Sequence, residues 1–180
     1  MPYMNELGWN YVTAPYHFGD SRVGYTVRVL SISNGTTISV LAFEYEGVHD
    51  AGDVYEFDYQ LSRIGTSIRC SQPCIAVQYA KESEPVDSSN VYMMPFMLVL
   101  TPREYYVRDV VFSSPAWATN ATAIALSLVV DFYPVEDLYL DGVNLDYLGW
   151  QVAAGGTGAF AEVSITPGQH QLFVVDPGHA

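Results

Sequence analysis

The fold class this 180-residue chain predicts is all-β, an antiparallel β-sandwich of about a dozen short strands. Three observations carry that expectation. Apolar and polar residues alternate with period two, turn dipeptides separate the alternating segments, and no stretch shows a helical repeat.

The elements follow in order. Asn5 to Val12 reads as a strand with Leu7, Trp9 and Tyr11 on one face and Gly8, Asn10 and Val12 on the other. Arg22 to Ser31 alternates Val23, Tyr25, Val27 and Val29 against Arg22, Gly24, Thr26 and Arg28. Asn34-Gly35 then reads as a hairpin, because both central residues of a type I′ turn need positive φ. Asp53 to Leu61 places Tyr55, Phe57, Tyr59 and Leu61 opposite Glu56, Asp58 and Gln60. Cys70 and Cys74 bracket a Ser-Gln-Pro turn between two strand-like runs. Ile124, Leu126, Leu128, Val130 and Phe132 share a face. Their small or apolar neighbours Ala123, Ala125, Ser127 and Val129 predict a central strand covered on both sides. Asp141-Gly142 is a second type I′ dipeptide, and Gly155-Gly156, Pro167-Gly168 and Pro177-Gly178 mark further breaks. Ser83 to Asn90 is the best loop. Its flanks are alike in composition, so one domain over residues 1–180 is expected, with 1–16 a strand segment able to dock on a neighbour.

Composition narrows the function. Hydrophobic residues are 49% and charged residues 15%, which predicts a packed core. Seven Lys and Arg against twenty Asp and Glu give a net charge of −13. Such a surface repels phosphate backbones and anionic lipid, so neither nucleic acid nor membrane is an expected partner. The apolar run Met93 to Leu100 is too short to span a bilayer and contains a proline. Met1 to Glu6 has no secretory leader character, so a leader would lie upstream or have been removed.

Two cysteines this close in a strand context read as a local disulfide, Cys70–Cys74, formed in an oxidising, extracellular setting; the alternative is two buried thiols. So short a loop restrains the unfolded chain modestly, so the bond is expected to pin a turn. Asn34-Gly-Thr36 and Asn120-Ala-Thr122 are N-glycosylation sequons in expected turns or strand edges.

Enzyme motifs are missing, so no catalytic residue and no cofactor is expected. His17, His49, His170 and His179 lack metal-ligand spacing. The nearest approach to a cation loop is Glu44, Glu46, His49, Asp50 and Asp53, of which Glu46, Asp50 and Asp53 are the best candidates. Their spacing fits no defined loop, so solvated surface is preferred and no metal is expected. Asp141, Asn144 and Asp146 form a weaker cluster in which Asp141 is a turn residue. Trp9, Trp117 and Trp150 suit sugar stacking or core packing, and core packing is preferred.

A series of short motifs runs along the chain in a recognisable order. These are Pro2 with Leu7-Gly8-Trp9-Asn10-Tyr11-Val12, Arg28-Val29 with the Thr37 to Val40 strand, and Ile68 to Pro73 with Val77-Gln78-Tyr79. Then come Pro95-Phe-Met97, Thr101-Pro102 with Tyr105-Tyr106, Leu140-Asp-Gly142, Trp150 and Gly168-Gln-His170. In this order the chain resembles the N-terminal domain of the IgGFc-binding protein family, found in mucin-associated and other extracellular proteins. Two departures matter. Cys70 stands where the family resemblance implies a small residue, and the chain begins inside the family pattern and stops before its closing strand. The resemblance therefore implies a sheet that lacks a strand or exposes an edge, available to another chain.

The combined reading is a secreted, non-enzymatic, glycosylated structural protein. Its expected partners are copies of itself, joined head to tail into a fibre through strand edges, with Leu7, Trp9 and Tyr11 at the contact; the same strand could instead pair within its own fold, as the resemblance implies. The alternative is an adhesion module for glycans or glycoproteins.

Overall fold

The computed structural model describes residues 7–18, 21–59, 64–81, 96–114, 124–131 and 135–175. The fold is all-β and antiparallel, and its strands form two lobes.

The N-terminal lobe is built on one long strand, β8 (Ser67–Ala80). Shorter strands lie end to end along both of its edges. On one side β4 (Tyr25–Ser31) pairs Tyr25 with Ala80 and Ser31 with Cys74, and β5 (Thr36–Val40) continues with Ile38 opposite Cys70 and Val40 opposite Ile68. On the other side β1 (Gly8–Val12) runs along the first half of β8 and β9 (Phe96–Val99) along the second. β6 (Tyr45–His49) extends the sheet beyond β5, and β7 (Val54–Tyr59) extends it beyond β4. β2 (Tyr16–Phe18) and β3 (Ser21–Val23) form a separate hairpin.

Every row except β8 breaks at mid-sheet, and the breaks are bonded together. Asn34 Oδ1 accepts from Ala51 N at 2.9 Å, Ser71 Oγ accepts from Thr37 N at 2.8 Å, and Gln72 Nε2 donates to Asn34 O at 3.2 Å. This corrects two expectations. Asn34-Gly35 is not a type I′ hairpin: only Gly35 has positive φ, at 70°, and β4 and β5 continue in one direction along β8. Residues 71–73 are a bulge inside one strand, not a turn between two. Four residues of extended chain would span about 13 Å, whereas the Cα atoms of Cys70 and Cys74 lie 6.4 Å apart.

The expected disulfide is present. It does not pin a surface turn: both cysteines point into the core, with Tyr25, Val27, Val29, Ile38, Val40, Phe57 and Ile68. Proline at 73 is tolerated there because a bulged residue owes no amide to a ladder.

The C-terminal lobe is a sandwich of two smaller sheets. One contains β10 (Asp109–Ser114), β16 (Gly168–Val174), β12 (Leu138–Leu140) and β13 (Val143–Asn144) in that order. The other contains β11 (Ile124–Val130), β15 (Ala159–Ile165) and β14 (Gln151–Val152). Leu128, Leu138, Leu140, Leu145 and Val163 fill the space between them. Asp141-Gly142 is the expected two-residue hairpin, with φ of 52° and 80°. β11 differs from expectation. It pairs with β15 alone among the described residues and stands at an edge, with Ala125 and Ser127 exposed.

The lobes meet at Val12, Ala14, Ala153 and Phe160. Backbone bonds cross the junction, from Ser67 N to Ala154 O at 3.0 Å and from Ala154 N to Gly65 O at 2.9 Å. Gly65 is required there, since a Cβ would strike Thr13 O and the Phe160 ring. Asn120, Trp117, the loop 83–90, Pro177-Gly178 and His179 lie outside the described residues.

Candidate functional site

Between the lobes lies a cleft of about 540 Å³, within the usual size range of ligand pockets. Its walls come from both lobes: Leu98 and Val99 of β9, Tyr105 to Arg108 of the connection, Ser127, Val129 and Val130 of β11, and Leu172 and Val174 of β16. Leu98, Tyr105, Val107, Val110 and Val175 line it and are exposed. Ser127 and Val129 of β11, read in the sequence as a sign of burial on both faces, line this open space instead. The connection is held by Arg103, whose Nε donates to Asp131 Oδ1 at 2.7 Å. Buried among its neighbours, the Tyr106 hydroxyl is pushed well above its ordinary range, and so stays neutral.

A second constellation was not expected from sequence. His170 Nδ1 lies 2.7 Å from Asp141 Oδ2, and His170 Nε2 lies 3.3 Å from Ser114 Oγ. The residue types are those of a nucleophilic triad, but the bonding is not. His170 Nε2 is closer, at 2.8 Å, to the carbonyl of Thr166, which only accepts. Both ring nitrogens thus face an acceptor, an arrangement that favours the imidazolium form. Asp141 is the first cause of its raised pKa and the Thr166 carbonyl the second, while His170 and the Gln171 amide hold Asp141 low. A cationic imidazole cannot take a proton from serine. Ser114 Oγ in turn donates to Thr166 O at 2.7 Å and accepts from Gly168 N at 2.9 Å. The network fastens the β10–β16–β12 sheet. One signal could have revealed it: Leu-Asp-Gly and Gly-x-His both belong to the recognised motif series, and they meet here.

Other sequence candidates resolve differently. The register of β1 on β8 shifts between Gly8 and Asn10, opposite the bulge of β8, and there the expected alternation breaks: Trp9 is 42% exposed while Tyr11 is 0% exposed. Tyr11 cannot serve as an assembly contact, because its hydroxyl donates to Cys74 O at 2.6 Å and accepts from Gly8 N at 2.9 Å. Leu7 is partly buried. Trp150 packs against the C-terminal core, and its Nε1 donates to Leu145 O at 2.9 Å, so it is not a sugar platform. Asp50 Oδ1 faces Gly35 N at 3.4 Å, Asp53 Oδ2 accepts from Asp50 N at 2.9 Å, and Glu46 Oε2 faces Ser39 Oγ at 3.3 Å. No group of three His, Cys, Asp or Glu able to hold a metal forms among the described residues.

Several recognised motif residues acquire physical roles. Gly8 lies against Pro102, which a Cβ would strike. Gln78, buried, donates to Ala14 O at 2.6 Å. Arg28 stands 5.1 Å over the Tyr79 ring. No helix of the described residues is long and apolar enough to cross a membrane. No curated protein matches the chain. The family model described as IgGFc binding protein matches residues 1–177, and with nearly its whole length covered the chain belongs to that family.

Proposed function

We propose that this chain is an extracellular recognition domain that binds a protein partner in the cleft between its lobes. Family membership points to an extracellular, non-enzymatic binding or structural domain. The observation that carries the finer reading is the cleft itself, where exposed apolar side chains from both lobes converge. The family description names an immunoglobulin Fc, a glycoprotein, which makes secreted glycoproteins the first partners to try.

Growth into a fibre through the N-terminal strand receives no support from the fold, because β1 pairs with β8 of its own chain. Asn34 is exposed, and its Oδ1 holds Ala51 N, which leaves the amide nitrogen for a glycan. The test is binding of IgG Fc and of a gel-forming mucin to the immobilised chain and to its Val107→Asp variant. Val107 is 68% exposed, so the substitution spares the core. Binding that falls at least tenfold in the variant supports the reading. Equal binding by both proteins, or binding by neither, contradicts it.

A further inference from the structure

The cleft is bordered by two strand edges whose backbone groups have no partner among the described residues. The hydrogen-bond phase of each ladder shows which groups face it. Leu100 N donates to Ala76 O at 2.9 Å, continuing the β8–β9 register of Gln78 with Leu98 and Val77 with Val99. In an antiparallel ladder the hydrogen-bonded pairs alternate. Leu98 and Leu100 therefore turn their amides and carbonyls toward β8, and Met97 and Val99 turn theirs away. On the opposite wall, Ala153 N donates to Gly158 O at 3.0 Å, so Gly158 and Phe160 face β14. Ala159 and Ala161 then face β11, where they pair with Val130 and Leu128. Ser127 and Val129, both of which line the cleft, turn their backbone groups outward from β15.

Exposed edges are ordinarily guarded. β6 carries Glu46, β7 carries Glu56 and Asp58, and Asn10 of β1 donates to Glu104 Oε1 at 2.6 Å. β9 carries no guard. It reads Phe-Met-Leu-Val, with Phe96 44%, Met97 60% and Leu98 49% exposed.

We propose, building on the cleft as the binding site, that its occupant is an extended strand from a different protein. The strand lies between β9 and β11 and pairs its backbone with Met97 and Val99 on one side and Ser127 and Val129 on the other. The unpaired backbone groups specify polypeptide, since neither an apolar ligand nor a sugar presents a matching ladder. The walls specify apolar residues. The net charge of −13 specifies the flanks, while at the lining itself the signs are balanced, by Asp131, which is paired with Arg103, and by Arg108. A partner strand with Lys or Arg at its ends answers that field.

The test selects twelve-residue peptides from a random display library on the intact chain, then remakes the selected peptides with single backbone N-methyl groups. The expected result has three parts. Selected peptides alternate apolar residues and end in basic ones, Leu98→Asp and Val107→Asp weaken them at least tenfold, and N-methylation weakens binding at least tenfold in both alternating sets of positions. Indifference to N-methylation, or sensitivity in one set only, overturns the two-edge strand while leaving the cleft as the binding site. Binding unchanged by both substitutions, or no selected peptide, overturns strand and cleft together. Concentration-dependent self-association that the peptides abolish would show the occupant to be a second copy, and would overturn the proposal of a different partner.

Discussion

The two lobes solve one problem with different chemistry. Each must hold a sheet in register, the N-terminal one across a bulge and the C-terminal one beside the Asp141-Gly142 hairpin. The N-terminal lobe does so covalently, with Cys70–Cys74 closing a bulge in its central strand. The C-terminal lobe does so ionically, with Asp141 and Thr166 O gripping a cationic His170 next to Ser114. The first clamp answers to redox conditions and ignores pH; the second does the reverse. An oxidising exterior makes the covalent device permanent, whereas the ionic device stays tied to the acidity of its surroundings.

The largest effect should come from the covalent side. Replacing both cysteines by alanine removes a short loop closure worth about 2 kcal/mol and also thins a packed core. The midpoint of chemical denaturation should fall accordingly, and an unchanged midpoint would show the bulge to be held by its polar bonds alone. Tyr11→Phe should follow, at about 1–3 kcal/mol, because Gly8 N and Cys74 O both lose the buried hydroxyl they share. The same measurement checks it.

A smaller, pH-shaped effect belongs to the C-terminal clamp. The folded pKa of His170 is raised above its ordinary 6.5, so its contribution is complete below pH 6.5 and is lost as pH rises through the folded value. Asp141 is lowered from its ordinary 3.8, so its contribution is complete above pH 3.8 and is lost as pH falls through the folded value. The pair therefore contributes most between pH 3.8 and 6.5. Thermal melts should show the wild type losing stability above that window more steeply than His170→Gln; parallel profiles would mean the histidine is neutral. The smallest change expected is in cooperativity. We read residues 1–180 as one domain, because the junction bonds at Gly65, Ser67 and Ala154 join the lobes. Calorimetry should then give one transition, and two resolved transitions would separate the lobes thermodynamically.

Local signals in the sequence were read well where they governed the structure alone. The alternation of Tyr25, Val27 and Val29, the Asp141-Gly142 hairpin and the disulfide all appear as expected. Asn34-Gly35 failed because the pairing of β4 and β5 with one long strand overrode the dipeptide's preference. The alternation expected at Trp9 and Tyr11 failed at a bulge that depends on β8, a strand distant in sequence. The cleft was illegible for the same kind of reason. Its walls come from β9, β11 and β16, which no local period connects, and among the described residues β9 and β11 pair on one side only. The edges of β9 and β11 in the proposed pairing could be picked out only from the register.

Amide hydrogen exchange of the free chain, resolved by residue, tests the central claim most directly. Open edges predict fast exchange at Met97, Val99, Ser127 and Val129, alternating with slow exchange at Leu98, Leu100 and Leu128. Slow exchange at all four would show that the edges are already paired, and the cleft would then have no strand to receive.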